Sequence, residues 1–386
     1  MNESFEADVT ILASKDIRIE GEAERQLKQT AALPGMFKAV GFPELHPGKG
    51  SPVGAVFAAE GILYPYLVGN DVGCGMGLWR TDLKRRKIKR DRWVERLIGL
   101  EGSWEEDVSP WLDEEGVAPG PFDIALGTIG GGNHFAELQV VERVDDKSTF
   151  EALDLSADDL MLLVHSGSRG LGEALLRSHV ERHKAEGLFD GSDEAAHYLA
   201  AHDHALAWAR ANRALIAHRF LTALGAEGQR ILDRCHNSIA PGTVTAASVI
   251  AQEALLRRSC WLHRKGAVPA TEGVTILAGS RGSLSYLVLP IGDPESSLYS
   301  LGHGAGRKWK RSDSKERLRP RFKADTLTHT ELGGRVICED RDLLYEEAPQ
   351  AYKDIDGIVR CLRDLGRIKV VASLRPVITY KTRSAR

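Results

Sequence analysis

Residues 161–184 read MLLVHSGSRGLGEALLRSHVERHK. An apolar run of strand type ends at His165, a turn of glycines and serines follows, and helical patterning begins at Leu171. Outward from there, apolar β-rich runs recur at 9–13, 53–58, 162–165, 274–277, 284–289 and 369–374. Helical patterning covers 22–32, 171–184, about 197–224 and 350–365. Strands and helices are interspersed without the even βαβ alternation of a doubly wound sheet. That predicts one α+β domain spanning 1–386, with mixed β-sheets flanked by helices. No Pro/Ser-rich linker, low-complexity tract or solenoid-period repeat divides it.

The composition agrees. With 42% hydrophobic and 27% charged residues, the 386-residue chain falls in the globular range, which excludes disordered and fibrous classes. A net charge of −3 gives no global field toward nucleic acid or membrane, so any polyanion must be met by a local patch. Five scattered cysteines suit a reducing compartment. The acidic start MNESFEADVT lacks the order of a signal peptide, and no apolar run reaches the length of a membrane span. The expectation is a soluble, cytoplasmic protein without membrane partners. The acidic, Trp-bearing stretch 102–116 reads as a solvated surface excursion.

The informative feature is a repeated junction at which an apolar run stops, glycines follow, and a metal-capable or nucleophilic side chain sits between. It occurs at 67–77 (LVGNDVGCGMG), 126–135 (LGTIGGGNHF), 163–172 (LVHSGSRGLG), 231–237 (ILDRCHN), 276–286 (ILAGSRGSLSY) and 300–307 (SLGHGAGR). Strand ends carry loops that converge while a sheet holds them rigid, and glycine lets a ligand approach the backbone. Asp71 and Cys74 read as metal ligands or as a turn cap and a small buried hydrophobe, and a lone D-x-x-C by itself favours the second. His134 follows three glycines. His165 precedes a helix start of phosphate-cradle type with Arg169 in it, although Ser166 or Ser168 as a plain N-cap explains the same turn. His236 suits a metal, whereas its neighbour Cys235 points to the opposite face of a β-like run. His303, bracketed by glycines, has the open approach that in-line attack on phosphorus demands, with Arg307 placed to neutralise a phosphate.

Residues 307–323 (RKWKRSDSKERLRPRFK) carry nine cations with Trp309 and Phe322 between them, a pattern suited to a nucleic-acid backbone. Residues 84–92 form a second basic run that reads as a solvated face. Asp71, Cys74, His134, His165 and His236 exceed the needs of one tetrahedral ion, which argues for two ions bridged by Cys74. The donors alone name zinc first and leave manganese open. Together these features imply nucleotidyl or phosphoryl transfer on a nucleic acid.

The motifs DVGCGM, LGTIGGGNHF, HSGSRG, HGAGR and EAPQAYKDID (from Glu347) resemble those of the RtcB family of RNA-splicing ligases. They keep the family's order from HPGKG (from His46) to the C-terminus. The resemblance implies an RtcB-like fold and GTP-dependent joining of RNA 3′-phosphate or 2′,3′-cyclic phosphate ends to 5′-hydroxyl ends. His303 would carry GMP, with Arg169 and Arg307 near phosphates. One manganese would take Cys74, His165 and His236, the other Asp71, Cys74 and His134. Nucleotide contacts would fall on Asn133, Glu137, His236, Asn237, Ala278, Ser280, Ser285, His303, Gly304, Ala305, Gly306 and Lys381. Glu137 would accept from guanine N1–H and N2–H₂ while Lys381 donates to O6, an order that adenine reverses.

The sequence departs from the family's pattern in four places. P-G-S-M-G reads AGSRG, which puts Arg281 beside the nucleotide loop. Gly302 replaces the serine before the nucleophile, and Glu44 replaces the aspartate before the first histidine. The chain also runs five residues past Lys381. These departures suggest a paralogue serving RNA repair, such as cleaved ribosomal RNA, as against tRNA halves. A dinuclear phosphodiesterase without a covalent step is the alternative enzyme, and an RNA-binding module the non-catalytic one.

Overall fold

The computed structural model of the chain describes residues 7–247 and 255–383. Two mixed sheets and two short ribbons hold its strands. The larger sheet runs, in spatial order, Thr275–Leu277, Ser285–Pro290, Ile368–Thr382, Phe135–Val144, Asp159–Ser166, Gly75–Lys84 and Gly228–Cys235, all antiparallel. Arg335–Cys338 joins the far end of Ile368–Thr382 in parallel. The second sheet runs Asp8–Ile11, Met36–His46, Val53–Ala59, Leu255–Lys265 and Asn237–Ala247, and only its first pair is parallel. The architecture is the α+β domain with mixed sheets that the pattern predicts. Among the described residues no helix is long and apolar enough to cross a membrane.

The strand from the opening stretch, Asp159–Ser166, is buried at every position. Side chains alternate across a sheet, so a strand covered on both faces must be apolar throughout. Leu160, Leu162 and Val164 face the long helix Asp193–Leu224 through Ala214, Ala217 and Phe220. Met161 and Leu163 pack on the other side with Phe150, Leu287 and Leu374. The helix starts where Ser192 Oγ accepts from Ala195 N at 3.1 Å and stops at left-handed Gly225.

Two predicted elements change form. The helix expected over 350–365 splits into a 3₁₀ turn, Pro349–Ala351, and a helix, Ile355–Asp364. Asp354 causes the break, because its carboxylate accepts from the backbone of Asp356 and Gly357 and starts a new helix. The stretch 102–116 is surface-lying but not merely solvated. It contains the helix Ser109–Glu114, its Trp104, Trp111 and Leu112 pack against Trp208 and Leu215, and Glu115 pairs with Arg210 at 2.8 Å and with Arg230. A short amphipathic run of tryptophan among acids resembles loop chemistry until the long helix supplies its apolar partner.

One connection decides where the chemistry lies. Gly228–Cys235 belongs to the larger sheet and Asn237–Ala247 to the smaller, so His236 is the single residue between them. A ribbon of Ala267–Pro269 and Ser300–Gly302 runs alongside and ends at His303.

Candidate metal centre and nucleotide pocket

The five predicted ligands converge from four junctions of the larger sheet. Cys74, His165 and His236 form one cluster whose donor atoms lie within 4.8 Å of one another; Asp71, Cys74 and His134 form a second. Cys74 Sγ is common to both, 3.3 Å from His165 Nε2 and 3.4 Å from His134 Nε2. His134 Nε2 is 2.8 Å from Asp71 Oδ2. The register explains the convergence: His165 pairs across from Met76 and Phe135, and His236 N donates to the Cys74 carbonyl at 2.8 Å.

The electrostatics suit cations. Burial drives His165 and His236 well below the ordinary histidine value, so their lone pairs are free. Burial, then the Asp71 carboxylate, pushes the Cys74 thiol well above its ordinary value, a cost that a coordinated cation reverses. Burial also raises the Asp71 carboxyl, but the facing His134 outweighs it and holds the group below the usual range. Asp71 Oδ1, His134 Nδ1 and His236 Nδ1 are buried without hydrogen-bond partners. Mixed O, N and S donors with orphaned buried atoms fit two divalent ions sharing a thiolate.

His303 closes the cradle. Its ring centroid is 4.7 Å from that of His236. Glu44, fully buried at the end of Met36–His46, accepts from His303 N at 2.9 Å and stands 3.7 Å from its Nδ1. Nδ1 is buried and has no hydrogen-bond partner. The nucleotide-type residues cluster beside it. Ala278 bridges to Gly304, and Ala305 N donates to the Ala278 carbonyl at 3.0 Å. Ser285 Oγ accepts from Gly279 N at 3.3 Å and from Gln139 Nε2 at 3.2 Å, while Gln139 also donates to Glu137 Oε1 at 2.7 Å. Burial pushes Glu137 up to about 7, and burial pushes Lys381 down to about 8. Lys381 Nζ donates to the His134 carbonyl at 2.9 Å, which ties the Glu137–Lys381 pair to the second donor cluster.

The sequence model described as "tRNA-splicing ligase RtcB" matches residues 26–109 and 120–382. This chain belongs to the RtcB family. It is 48% identical over 376 residues to a protein named RNA-splicing ligase RtcB2 from Escherichia coli, covering 97% of this chain and 95% of that one. It is 28% identical over 416 residues to RNA-splicing ligase RtcB of Escherichia coli K12, with 95% and 96% covered. With the tRNA-splicing ligase RtcB of Aeropyrum pernix the identity is 26% over 438 residues, with 91% and 90% covered.

Two departures from the usual RtcB pattern explain each other. A Cβ at Gly302 would lie 1.9 Å from Glu44 Oε1. The longer carboxylate of Glu44 therefore fills the space that a serine before His303 would need. Arg281 is a correction. It does not face the nucleotide loop as an extra cation, because its buried guanidinium donates to the carbonyls of Leu344 at 2.7 Å and Glu347 at 2.9 Å. It ties the loop to the end of the helix Arg341–Glu346.

Arg307 is a second correction. All its donors are engaged, by Glu347 at 3.0 Å, Ser314 Oγ, Tyr352 Oη and the carbonyls of Trp309 and Glu346. It braces the loop after His303 and has no free hydrogen for a phosphate. Asn237 likewise has its amide engaged by the Asp71 carbonyl and by Gly266 N, so it fixes the backbone at Asp71.

Two arginines lie against the glycine loop that leads to His134. A Cβ on left-handed Gly130 would collide with Arg169, and one on Gly132 with Arg311. The triple glycine before His134 thus admits two cations against the backbone. Arg311 and Gln139 escaped the sequence reading, since one lies inside a uniformly basic run and the other in an ordinary strand. Ser166 and Ser168 are not caps: they donate to the carbonyls of Ile129 and Val72 and lock adjacent junctions together.

In the basic segment, Trp309 and Phe322 are not free stacking platforms. Both pack against the satellite core of Leu318, Leu327 and Tyr345, and Lys308 and Arg317 lie over the Trp309 ring.

Proposed function

We propose that this chain is a GTP- and Mn²⁺-dependent RNA ligase that joins RNA 3′-phosphate or 2′,3′-cyclic phosphate ends to 5′-hydroxyl ends through guanylyl-His303. The placement of His303 carries the reading: a glycine-flanked imidazole packs on His236 beside the five converging donors, and the buried Glu44 carboxylate accepts from the His303 backbone N–H. His303 Nε2 attacks the α-phosphorus of GTP; an N–P bond forms and the P–O bond to pyrophosphate breaks. The RNA 3′-phosphate then takes GMP from His303, and the 5′-hydroxyl displaces GMP to leave a phosphodiester. Two Mn²⁺, held by Cys74, His165 and His236 and by Asp71, Cys74 and His134, supply charge neutralisation at the phosphates when bound.

Glu44 orients the imidazole and balances the charge it gains on attack. Glu137 and Lys381 read guanine, while Asn133, Ser280, Ser285 and the backbone of Gly304, Ala305 and Gly306 line the path to the phosphates. Arg169 offers its guanidinium to the RNA end. Lys308, Lys310, Arg317, Arg321 and Lys323 are exposed, carry no ion pair among the described residues, and supply a track for the RNA backbone. The substrate is broken RNA, tRNA halves or cleaved ribosomal RNA, in the reducing cytoplasm where five free cysteines persist.

Incubation with α-labelled GTP and Mn²⁺ tests this. Label on the protein should be acid-labile, alkali-stable and missing from His303→Ala. Label persisting in that variant would overturn the role of His303. Full turnover of cyclic-phosphate RNA by His303→Ala, with loss in Cys74→Ala, would make the protein a metal phosphodiesterase.

A further inference from the structure

The long helix Asp193–Leu224 places two polar residues, Asn212 and Arg213, in the core directly beneath the cradle, and both are fully buried. Neither touches the donor atoms, yet their bonds reach the strand ends that carry them. Arg213 Nη1 donates to the Gly73 and Ser166 carbonyls, each at 2.8 Å. Gly73 directly precedes Cys74, and Ser166 directly follows His165. The other edge of the guanidinium forms a bidentate pair with Asp233, Nε to Oδ2 at 2.7 Å and Nη2 to Oδ1 at 2.6 Å. Asp233 lies on Gly228–Cys235, the strand that delivers His236. One rigid planar group is thereby bonded to all three chain segments of the Cys74–His165–His236 set.

Asn212 extends the same device toward the second ion position. Its Oδ1 accepts from Gly127 N at 2.7 Å, and its Nδ2 donates to Ser166 Oγ and the Gly167 carbonyl, both at 3.1 Å. Gly127 begins the turn that leads to His134, and Ser166 Oγ itself donates to the Ile129 carbonyl at 2.8 Å in that turn. Outer groups that orient ligands matter nearly as much to a metal site as the ligands themselves. A fully buried charged group that served packing alone would be replaced favourably by an apolar side chain.

We propose that Arg213, paired with Asp233 and flanked by Asn212, is the positioning residue that sets the spacing of the Cys74, His165 and His236 donors. A planar fork is required for this, because four acceptors on three chain segments must be met in one geometry; an ammonium on a flexible stem keeps the charge but not the span. The inference rests on the reading of the five donors as a metal cradle.

The test is optical titration of the full chain with Co²⁺, following the thiolate-to-metal and d–d bands, beside equilibrium dialysis with Mn²⁺. Arg213→Lys should bind both ions about 10–100-fold more weakly and show altered d–d bands. Circular dichroism and melting curves establish that the variant is folded. Asp233→Asn, which preserves shape but frees the fork, should shift the same bands and serves if Arg213→Lys does not fold. Arg363→Ala, on an exposed helix end, should match the wild type. Folded Arg213→Lys or Asp233→Asn with wild-type affinity and spectrum overturns the positioning role alone. A wild-type chain that binds neither ion overturns the cradle reading as well.

Discussion

At the cradle, the donors come from distant strand ends, contact one another while some of their buried atoms lack partners, and stand on a buried guanidinium. Along 307–323 the cations follow one another in sequence, five are exposed without an ion pair among the described residues, and the aromatics between them belong to a satellite core. In the first region each atom's position depends on the whole fold, so one changed side chain removes a function. In the second only the local density of charge matters, and screening by salt acts on it directly.

The contrast sets the order of expected effects. Cys74→Ala removes the donor common to both clusters; metal affinity should fall by more than the roughly 100-fold upper range for outer-shell partners, and nick sealing should reach background. Equilibrium dialysis with a gel assay checks it, and full recovery in high Mn²⁺ would dissolve the contrast. Next is Gly302→Ser, whose side chain meets the Glu44 carboxylate. Overpacking of this kind costs roughly 1–3 kcal/mol, visible as a lower melting temperature and slower guanylylation. The double variant with Glu44→Asp should recover most of the loss, and simple additivity would show that the two positions are not coupled.

Glu137→Ala should lower discrimination against ATP by roughly 1–3 kcal/mol, measured as the ratio of guanylylation to adenylylation. The carboxylate form is the one that accepts from guanine, and its folded value is raised to about 7. Preference for GTP should therefore grow as pH rises through about 7. The linkage to stability has the opposite sign: the buried neutral acid is favoured below its unfolded value near 4.5, and that advantage is lost as pH passes about 7. Glu137→Gln should accordingly raise the melting temperature of the nucleotide-free protein at pH 8 and leave it nearly unchanged at pH 4. The smallest effect belongs to Lys310→Ala and Lys323→Ala. Each should reduce the slope of log affinity for RNA against log salt by about 1 if it neutralises a phosphate. A steep loss of catalysis at constant RNA affinity would place them with the cradle instead.

The candidate ligands stood out because a histidine or cysteine between an apolar run and a glycine turn has few other reasons to be there, and the fold brings Asp71, Cys74, His134, His165 and His236 together with His303 beside them. Their supports were not. Glu44 lies inside an apolar strand, and Arg213 sits mid-helix among alanines and leucines, where nothing local distinguishes a buried fork from a surface cation. Arg307 and Arg281 were misread for the complementary reason: a cation next to a glycine loop seems free until Glu347 and the carbonyls of the Arg341–Glu346 helix end occupy it. Trp309 and Phe322 were misread because exposure of an aromatic depends on what tertiary structure lays over it.

His236 is the single residue between a strand of one sheet and a strand of the other, yet its imidazole belongs to a cluster whose other members come from the larger sheet alone. A cation seated there would bind one layer to the other, and a slip of the layers by a bond length would spoil the grip. Loading should therefore stiffen the molecule as a body, raising the melting temperature with ion concentration as mass action requires. Chelation and the cohesion of the two layers would then be one and the same event.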